Sequence, residues 1–434
     1  MPEGHRGATL TGANLRDQVR AALDTSTRDA ALWHVPGRVE LLGKHTDYAG
    51  GRRLLCAIDR GLVIGMVRRN DDTVTFLDSS SGARAAFRLD PDLVPLTGRW
   101  AGFPMTVARR IARNFPDARR GADLALASNL PSAAGMSSSS ALIVATFLAL
   151  AEANELHTTE TWRAHLSTPE ALAEYLGCIE NGQSFGPLSG DRGVGTFGGS
   201  QDHTAILCCR PERVSRYSFA PVAYEGEIRW PKGMALVIAV SGIRSRKSGP
   251  QREAYNRLSL ATRVILDRWR EASGTQAVTL AAAAMEPAAQ AAIEQLLVDH
   301  PDPAFPPGFL AGRFRQFVSE SLEIIPEAAL ALERKDLQSF GRLVDRSQLG
   351  AEEGLHNQVP ETTHLARHAR ALGAHAASAF GAGFGGSVWA MVDAAEADRF
   401  GKQWIGEYRR AFPAAARRAE YVRSGLGPAA RRID

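Results

Sequence analysis

Residues 130–142 read LPSAAGMSSSSAL, and the fold turns on what this stretch does. Pro131 and Gly135 punctuate a turn, serines follow at 137–140, and Ala141, Leu142, Ile143, Val144 and Ala145 supply an apolar helical run. The first N–H groups of such a helix lack an intrahelical acceptor and sit at the positive end of the helix dipole, so the turn suits phosphate oxygens. A serine-capped helix that binds nothing has the same local sequence, and the choice between them rests on the company the stretch keeps. Upstream, residues 122–127 read as a strand, giving the order strand, turn, helix that a phosphate loop requires. No lysine follows Gly135 in the Walker position, so backbone donors and serine hydroxyls would have to hold the phosphates.

At 434 residues the chain exceeds the usual size of one hydrophobic core, and two domains are expected, divided by composition into 1–215 and 216–434. A net charge of +4 is small for this length, and arginine pairs such as Arg109–Arg110 and Arg417–Arg418 read as solvated helix faces without interleaved aromatics, which argues against nucleic acid. The opening MPEGHRGATL lacks the apolar core of a signal peptide, and no run approaches 18 apolar residues, so a cytoplasmic protein with no membrane or obligate protein partner is expected. Cys56, Cys178, Cys208 and Cys209 form no CxxC pair and read as reduced, mostly buried thiols.

Residues 36–51, PGRVELLGKHTDYAGG, pack Arg38, Lys44, His45, Asp47 and Tyr48 between glycines. A hairpin or loop so rich in charge suits the approach of a polar substrate. Strands are expected at 54–58, 62–67 and 74–77, an amphipathic helix near 103–115, and another from Pro169 through Glu180. A glycine-rich stretch then leads to Asp202, placed before an expected strand at 204–208. The basic loop 241–255 enters the helix that carries Tyr255, and helical stretches follow at 275–298 and 314–332. Late in the chain FGAGFGGSVWAMV satisfies the dinucleotide pattern GxGxxG at Gly381, Gly383 and Gly386, but a strand rather than a helix follows, which speaks against NAD.

These three segments, in this order, resemble the motifs of the GHMP kinase superfamily, and the first resembles the galactokinase signature GRxNLIGEHTDYxxG. The resemblance implies an α+β fold of two domains with the active site in the cleft between them, and ATP-dependent phosphorylation of a monosaccharide at its anomeric hydroxyl. The alternative it allows is a catalytically silent sugar- and ATP-binding regulator. Carried over by position, it implies Asp202 as catalytic carboxylate with Arg38 beside it, and sugar contacts from Lys44, His45, Asp47 and Tyr255. ATP would lie on Gly135, Ser137, Ser138, Ser139 and Trp100, with Mg2+ on Ser139 and Glu180.

Two departures stand out. Lys44 replaces the family's glutamate and Glu40 its asparagine, exchanging an acceptor for a cationic donor. A lysine facing the sugar suits a uronic acid; one facing solvent or Glu40 leaves galactose in place. The segment from Glu180 to Asp202 is longer than the family's, and Asp191 within it is the rival catalytic carboxylate.

Overall fold

The computed structural model describes residues 12–23, 30–131, 135–244 and 250–434. Three residues of the serine-rich turn (132–134), part of the basic loop (245–249) and the opening segment lie outside them.

Residues 36–42 continue strand β1 (Ala31–Leu42) instead of forming the expected hairpin or loop. The reason is their period of two: Val39 and Leu41 point to one face and Arg38 and Glu40 to the other, and all four are buried. The two strands expected next are one, β2 (Arg53–Arg68), antiparallel to β1. Strands β3 (Thr73–Asp78), β4 (Arg84–Arg88), β5 (Ala122–Ser128), β6 (Arg213–Ser218) and β7 (Ala223–Arg229) join the same sheet. A second sheet holds β8 (Met234–Val240), β9 (Ala376–Phe380), β10 (Ser387–Asp393) and β11 (Glu420–Ser424), and β12 (Arg431–Arg432) returns to the first.

The first sheet runs β12-β1-β2-β5-β3-β4, with β6 pairing to the opening residues of β2 and β7 to β6. The second runs β11-β8-β10-β9. Among the described strand pairs only β3 with β5 is parallel, as suits an α+β fold. The compositional division at 215/216 falls inside β6, and the second sheet starts at Met234.

Helix Ser138–Ala153 is apolar nearly all round and correspondingly buried. With helices Gly102–Asn114 and Pro169–Asn181 it covers the first sheet, in a core that includes Ile64, Phe76, Ile111, Phe147 and Tyr175. Val39, Leu41 and Cys56 form a second core with Leu236, Ile238, Phe340 and Trp389, so the two sheets share apolar packing. Helices Pro360–Ala371 and Ala397–Ala411 cover the other face of the second sheet.

The strand expected at 204–208 is the end of a helix, Gln201–Cys208. A short apolar run such as TAILCC does not distinguish the two by periodicity. Its partner decides: it packs on helix Pro169–Asn181, where Gly177 clears the way, since a Cβ there would sit 2.7 Å from that of Ser200. The helix expected over 314–332 is interrupted by a π-helical turn, Ser319–Ile324, between Phe309–Val318 and Ile325–Glu333. The extra residue in that turn accompanies a buried Glu320, which accepts the Gly43 N–H at 2.7 Å. Cys56, Cys178 and Cys209 are buried, Cys208 is partly so, and all four are free thiols. Among the described residues no helix is long and apolar enough to cross a membrane.

Candidate active site

The serine run divides its work by geometry. Ser137 precedes the helix with a left-handed backbone, φ 59°, and its hydroxyl caps nothing; it donates to Asp202. A non-glycine residue held there costs about 1–2 kcal/mol, and such strain clusters at ligand and catalytic sites. The first helical bond runs from the Ala141 N–H to the Ser137 carbonyl at 2.8 Å, leaving the N–H groups of 138–140 without helical acceptors. Arg38, across from the turn, donates through Nη1 to the Gly135 carbonyl at 2.6 Å and through Nε to Asp202 Oδ1 at 2.7 Å. Both members of that ion pair are buried.

The serine against Glu180 is Ser140, one position beyond the expected Ser139. Its single hydroxyl proton is shared between Glu180 Oε2 at 2.8 Å and Asp202 Oδ2 at 3.2 Å. Because the helix begins at Ser138, Ser137 and Ser140 lie three apart on one face, while Ser138 is exposed and Ser139 half-buried. His203 Nε2 lies 3.3 Å from the same Glu180 oxygen. A buried hydroxyl and carboxylate at the serine turn are hard oxygen donors, the kind of set Mg2+ takes when phosphate oxygens and water complete its shell. Among the described residues no cluster of three histidine, cysteine or acidic side chains offers a metal cage.

Asp191 is committed elsewhere. Arg109 Nε donates to it at 2.9 Å and Arg110 stands 3.6 Å away, which docks the long glycine-rich segment on helix Gly102–Asn114. Asp202 opens helix Gln201–Cys208 and lines a cleft with Asp47, Glu180, Gln201 and Tyr255.

Lys44 is not among the side chains lining that cleft. Its Nζ donates to Ser378 Oγ at 2.6 Å and Ser347 Oγ at 3.0 Å, and Ser347 donates to Glu320 at 2.9 Å. Burial pulls the amine down from the ordinary lysine range while Glu320 and Glu40 oppose it. His45 uses both ring nitrogens, Nδ1 with the Tyr48 hydroxyl at 3.0 Å and Nε2 with the Ala382 carbonyl of the third motif at 3.1 Å. Burial, aided by Arg313, pushes it down to about 3, so the ring is neutral at physiological pH. Tyr255 packs its ring 5.2 Å from that of His45, and burial raises its phenol well above the usual range. Asp47 accepts from Arg53 Nη2 at 2.6 Å.

Trp100 lies apart from these residues, against Phe76 and in a separate surface pocket with Arg84, Leu96 and Met105. Arg38, Ser137, Glu180, Asp202, Asp47 and Tyr255 are thus brought together, with Gly135 at their edge. Sequence reading missed Ser140, Gln201 and His203, though each adjoins a residue it named, and it missed Arg53, which a double arginine at a strand start did nothing to distinguish from surface.

The galactokinase galactose-binding signature matches residues 22–68, the N-terminal domain of the GHMP kinases residues 103–184, and their C-terminal domain residues 328–410. Among solved structures, Lactococcus lactis galactokinase complexed with galactose is 21% identical, with a TM-score of 0.78 over 95% of this chain and 98% of that one. L. major mevalonate kinase in complex with R-mevalonate is 16% identical, with a TM-score of 0.53 over 91% and 95% of the two chains. A D-glycero-D-manno-heptose 1-phosphate kinase from Bacteriodes thetaiotaomicron is 14% identical, with a TM-score of 0.51 over 93% and 99%. At these identities the likeness is one of fold. Along one two-domain α+β chain with a galactokinase-like fold, the protein thus carries, in order, the galactokinase galactose-binding signature and the N- and C-terminal domains of the GHMP kinases.

Proposed function

We propose that the chain is an ATP-dependent sugar 1-kinase, transferring the γ-phosphoryl group of ATP to the anomeric hydroxyl of a neutral monosaccharide of the galactose type. The observation that carries this reading is the contact of Asp202 with the serine turn on one side and the Asp47–Tyr255 cleft on the other. Phosphoryl transfer needs little covalent chemistry from the protein; it needs an acceptor oxygen held in line and charge neutralised on the transferred group.

Asp202 would accept the proton of the anomeric hydroxyl as that oxygen bonds phosphorus and ADP departs. Arg38, 2.7 Å away, orients the carboxylate and is placed to meet charge developing beside it. The N–H groups of Ser138–Ser140 would hold phosphate oxygens at the helix start. Mg2+, held by Ser140 and Glu180 together with those oxygens, would supply charge neutralisation. Asp47 and Tyr255 would take sugar hydroxyls, and His45 would hold the third motif against the site.

A neutral acceptor is favoured over a uronic acid because the cationic groups near the signature are already engaged. Lys44 is bonded to two serines, Arg53 to Glu40 and Asp47, and the acidic side chains lining the cleft are Asp47, Glu180 and Asp202. An added carboxylate would meet like charge there. Assaying ADP release over a panel of aldoses and uronic acids tests this: turnover with neutral aldoses and none with uronic acids is expected. Saturable sugar binding with no turnover for any of them would mark the silent regulator instead.

A further inference from the structure

Arg53 opens β2 and is 2% exposed. Its Nη2 donates to Asp47 Oδ1 at 2.6 Å, and its Nη1 donates to Gln201 Oε1 at 2.6 Å and to Glu40. Gln201 passes the contact on: its side-chain amide donates to Asp202 Oδ1 at 2.7 Å and its backbone N–H to Asp47 Oδ2 at 3.3 Å. One guanidinium therefore holds Asp47 directly and Asp202 through a single amide. The planar fork of five donors makes this possible, whereas an ammonium point charge would not span the three acceptors in one plane.

Stability does not explain the arrangement. Desolvating a charge pair offsets most of its Coulombic gain, and among the described residues Glu40 Oε1 and Arg53 Nε are buried with no hydrogen-bond partner. The backbone has also been shaped around the guanidinium's stem: Gly43, at φ +112°, has no Cβ, and one there would sit 2.9 Å from Arg53 Cα.

We propose that Arg53 is a positioning residue for phosphoryl transfer: it sets the spacing between Asp47, which holds the sugar, and Asp202, which takes the proton of the anomeric hydroxyl, with Glu40 as its counterion. The proposal rests on the sugar-kinase reading. It is tested by steady-state kinetics, sugar calorimetry and thermal melting on Arg53→Met, Arg53→Lys and the double variant Glu40→Gln/Arg53→Met. Arg53→Met is expected to lose about 100-fold in kcat and about tenfold in sugar affinity, as a misplaced acceptor does, with the KM for ATP unchanged. Arg53→Lys keeps the charge and is expected to leave kcat low.

The double variant removes Arg53 and the charge of Glu40 but leaves Asp47 without its cation, so it is expected to recover part of the melting temperature but neither kcat nor sugar affinity. Should Arg53→Met not fold, the double variant carries the test. Recovery of kcat and sugar affinity along with the melting temperature would show that Arg53 is only structural, as would wild-type values of both in folded Arg53→Met. A wild-type protein that turns over no sugar overturns the kinase reading and this proposal with it; wild-type turnover with full recovery in the double variant overturns this proposal alone.

Discussion

Asp202 receives side-chain donors from Arg38 on β1, Ser137 and Ser140 at the serine turn, and Gln201 beside it. That convergence gives each residue a distinct expected effect. Asp202→Asn removes a proton acceptor while keeping shape and much of the hydrogen bonding, so kcat should fall by about 10²–10⁴-fold, with sugar affinity by calorimetry close to wild type. Ser140→Ala should raise the Mg2+ concentration needed for half-maximal rate by at least about tenfold, whereas Ser139→Ala should leave it near wild type; Mg2+ titrations of the two variants check this. The serine expected beside Glu180 is Ser139, and the structure sets Ser140 there for a physical reason. Which serines share a face depends on where the helix starts, and the left-handed backbone at Ser137 that sets this start is a tertiary outcome held by Asp202 and Arg38.

At the scale of elements, the parts that sequence read well are those whose pattern is local. The strand–turn–helix order around residues 122–153 and the strand after the third motif emerge as expected. The misread parts are those decided by a partner. Residues 36–42 have the period of two of a strand, but that period seats Arg38 and Glu40 in the interior, where Asp202 and Arg53 meet their charges, and residues 204–208 are helical because helix Pro169–Asn181 accepts them. The π-helical turn at Ser319–Ile324 had no sequence signal, yet Glu320 within it ties down the Gly43 and Lys44 N–H groups. This junction is sensitive to Gly43, whose positive φ and contact with Arg53 leave no room for a methyl. Gly43→Ala is therefore expected to destabilise the fold by about 1–3 kcal/mol, read as a lower melting temperature, with weakened sugar binding because Arg53 is displaced.

Across the whole molecule, the shared core of Val39, Leu41, Leu236 and Trp389 fixes the two sheets against each other. The first and third motifs, far apart in sequence, thereby meet at His45 and Ala382. Acid should act on this assembly through the half-buried imidazole of His34. His34 is pushed down to about 4, chiefly by burial and then by Arg431. Between that value and the ordinary 6.5 the unfolded chain takes up a proton that the folded chain refuses, so stability falls as pH drops through this window. His34→Gln removes the contribution, and the loss of melting temperature from pH 7 to pH 5 should be smaller in that variant than in wild type; an equal loss would exclude His34 as its source. The residue types at the site were legible in sequence, but the fate of Lys44 was not, because Ser347 and Ser378, which receive its amine, lie some 300 residues further along.

In the proposed reaction the serine turn and Asp202 serve transfer of phosphate to an anomeric oxygen. Phosphorus NMR of the product formed from galactose, ATP and Mg2+ tests it most directly. A new phosphomonoester resonance coupled to the anomeric proton, appearing with wild type and absent with Asp202→Asn, is the expected result. A phosphate coupled to any other sugar position, or an equal yield from Asp202→Asn, would contradict it.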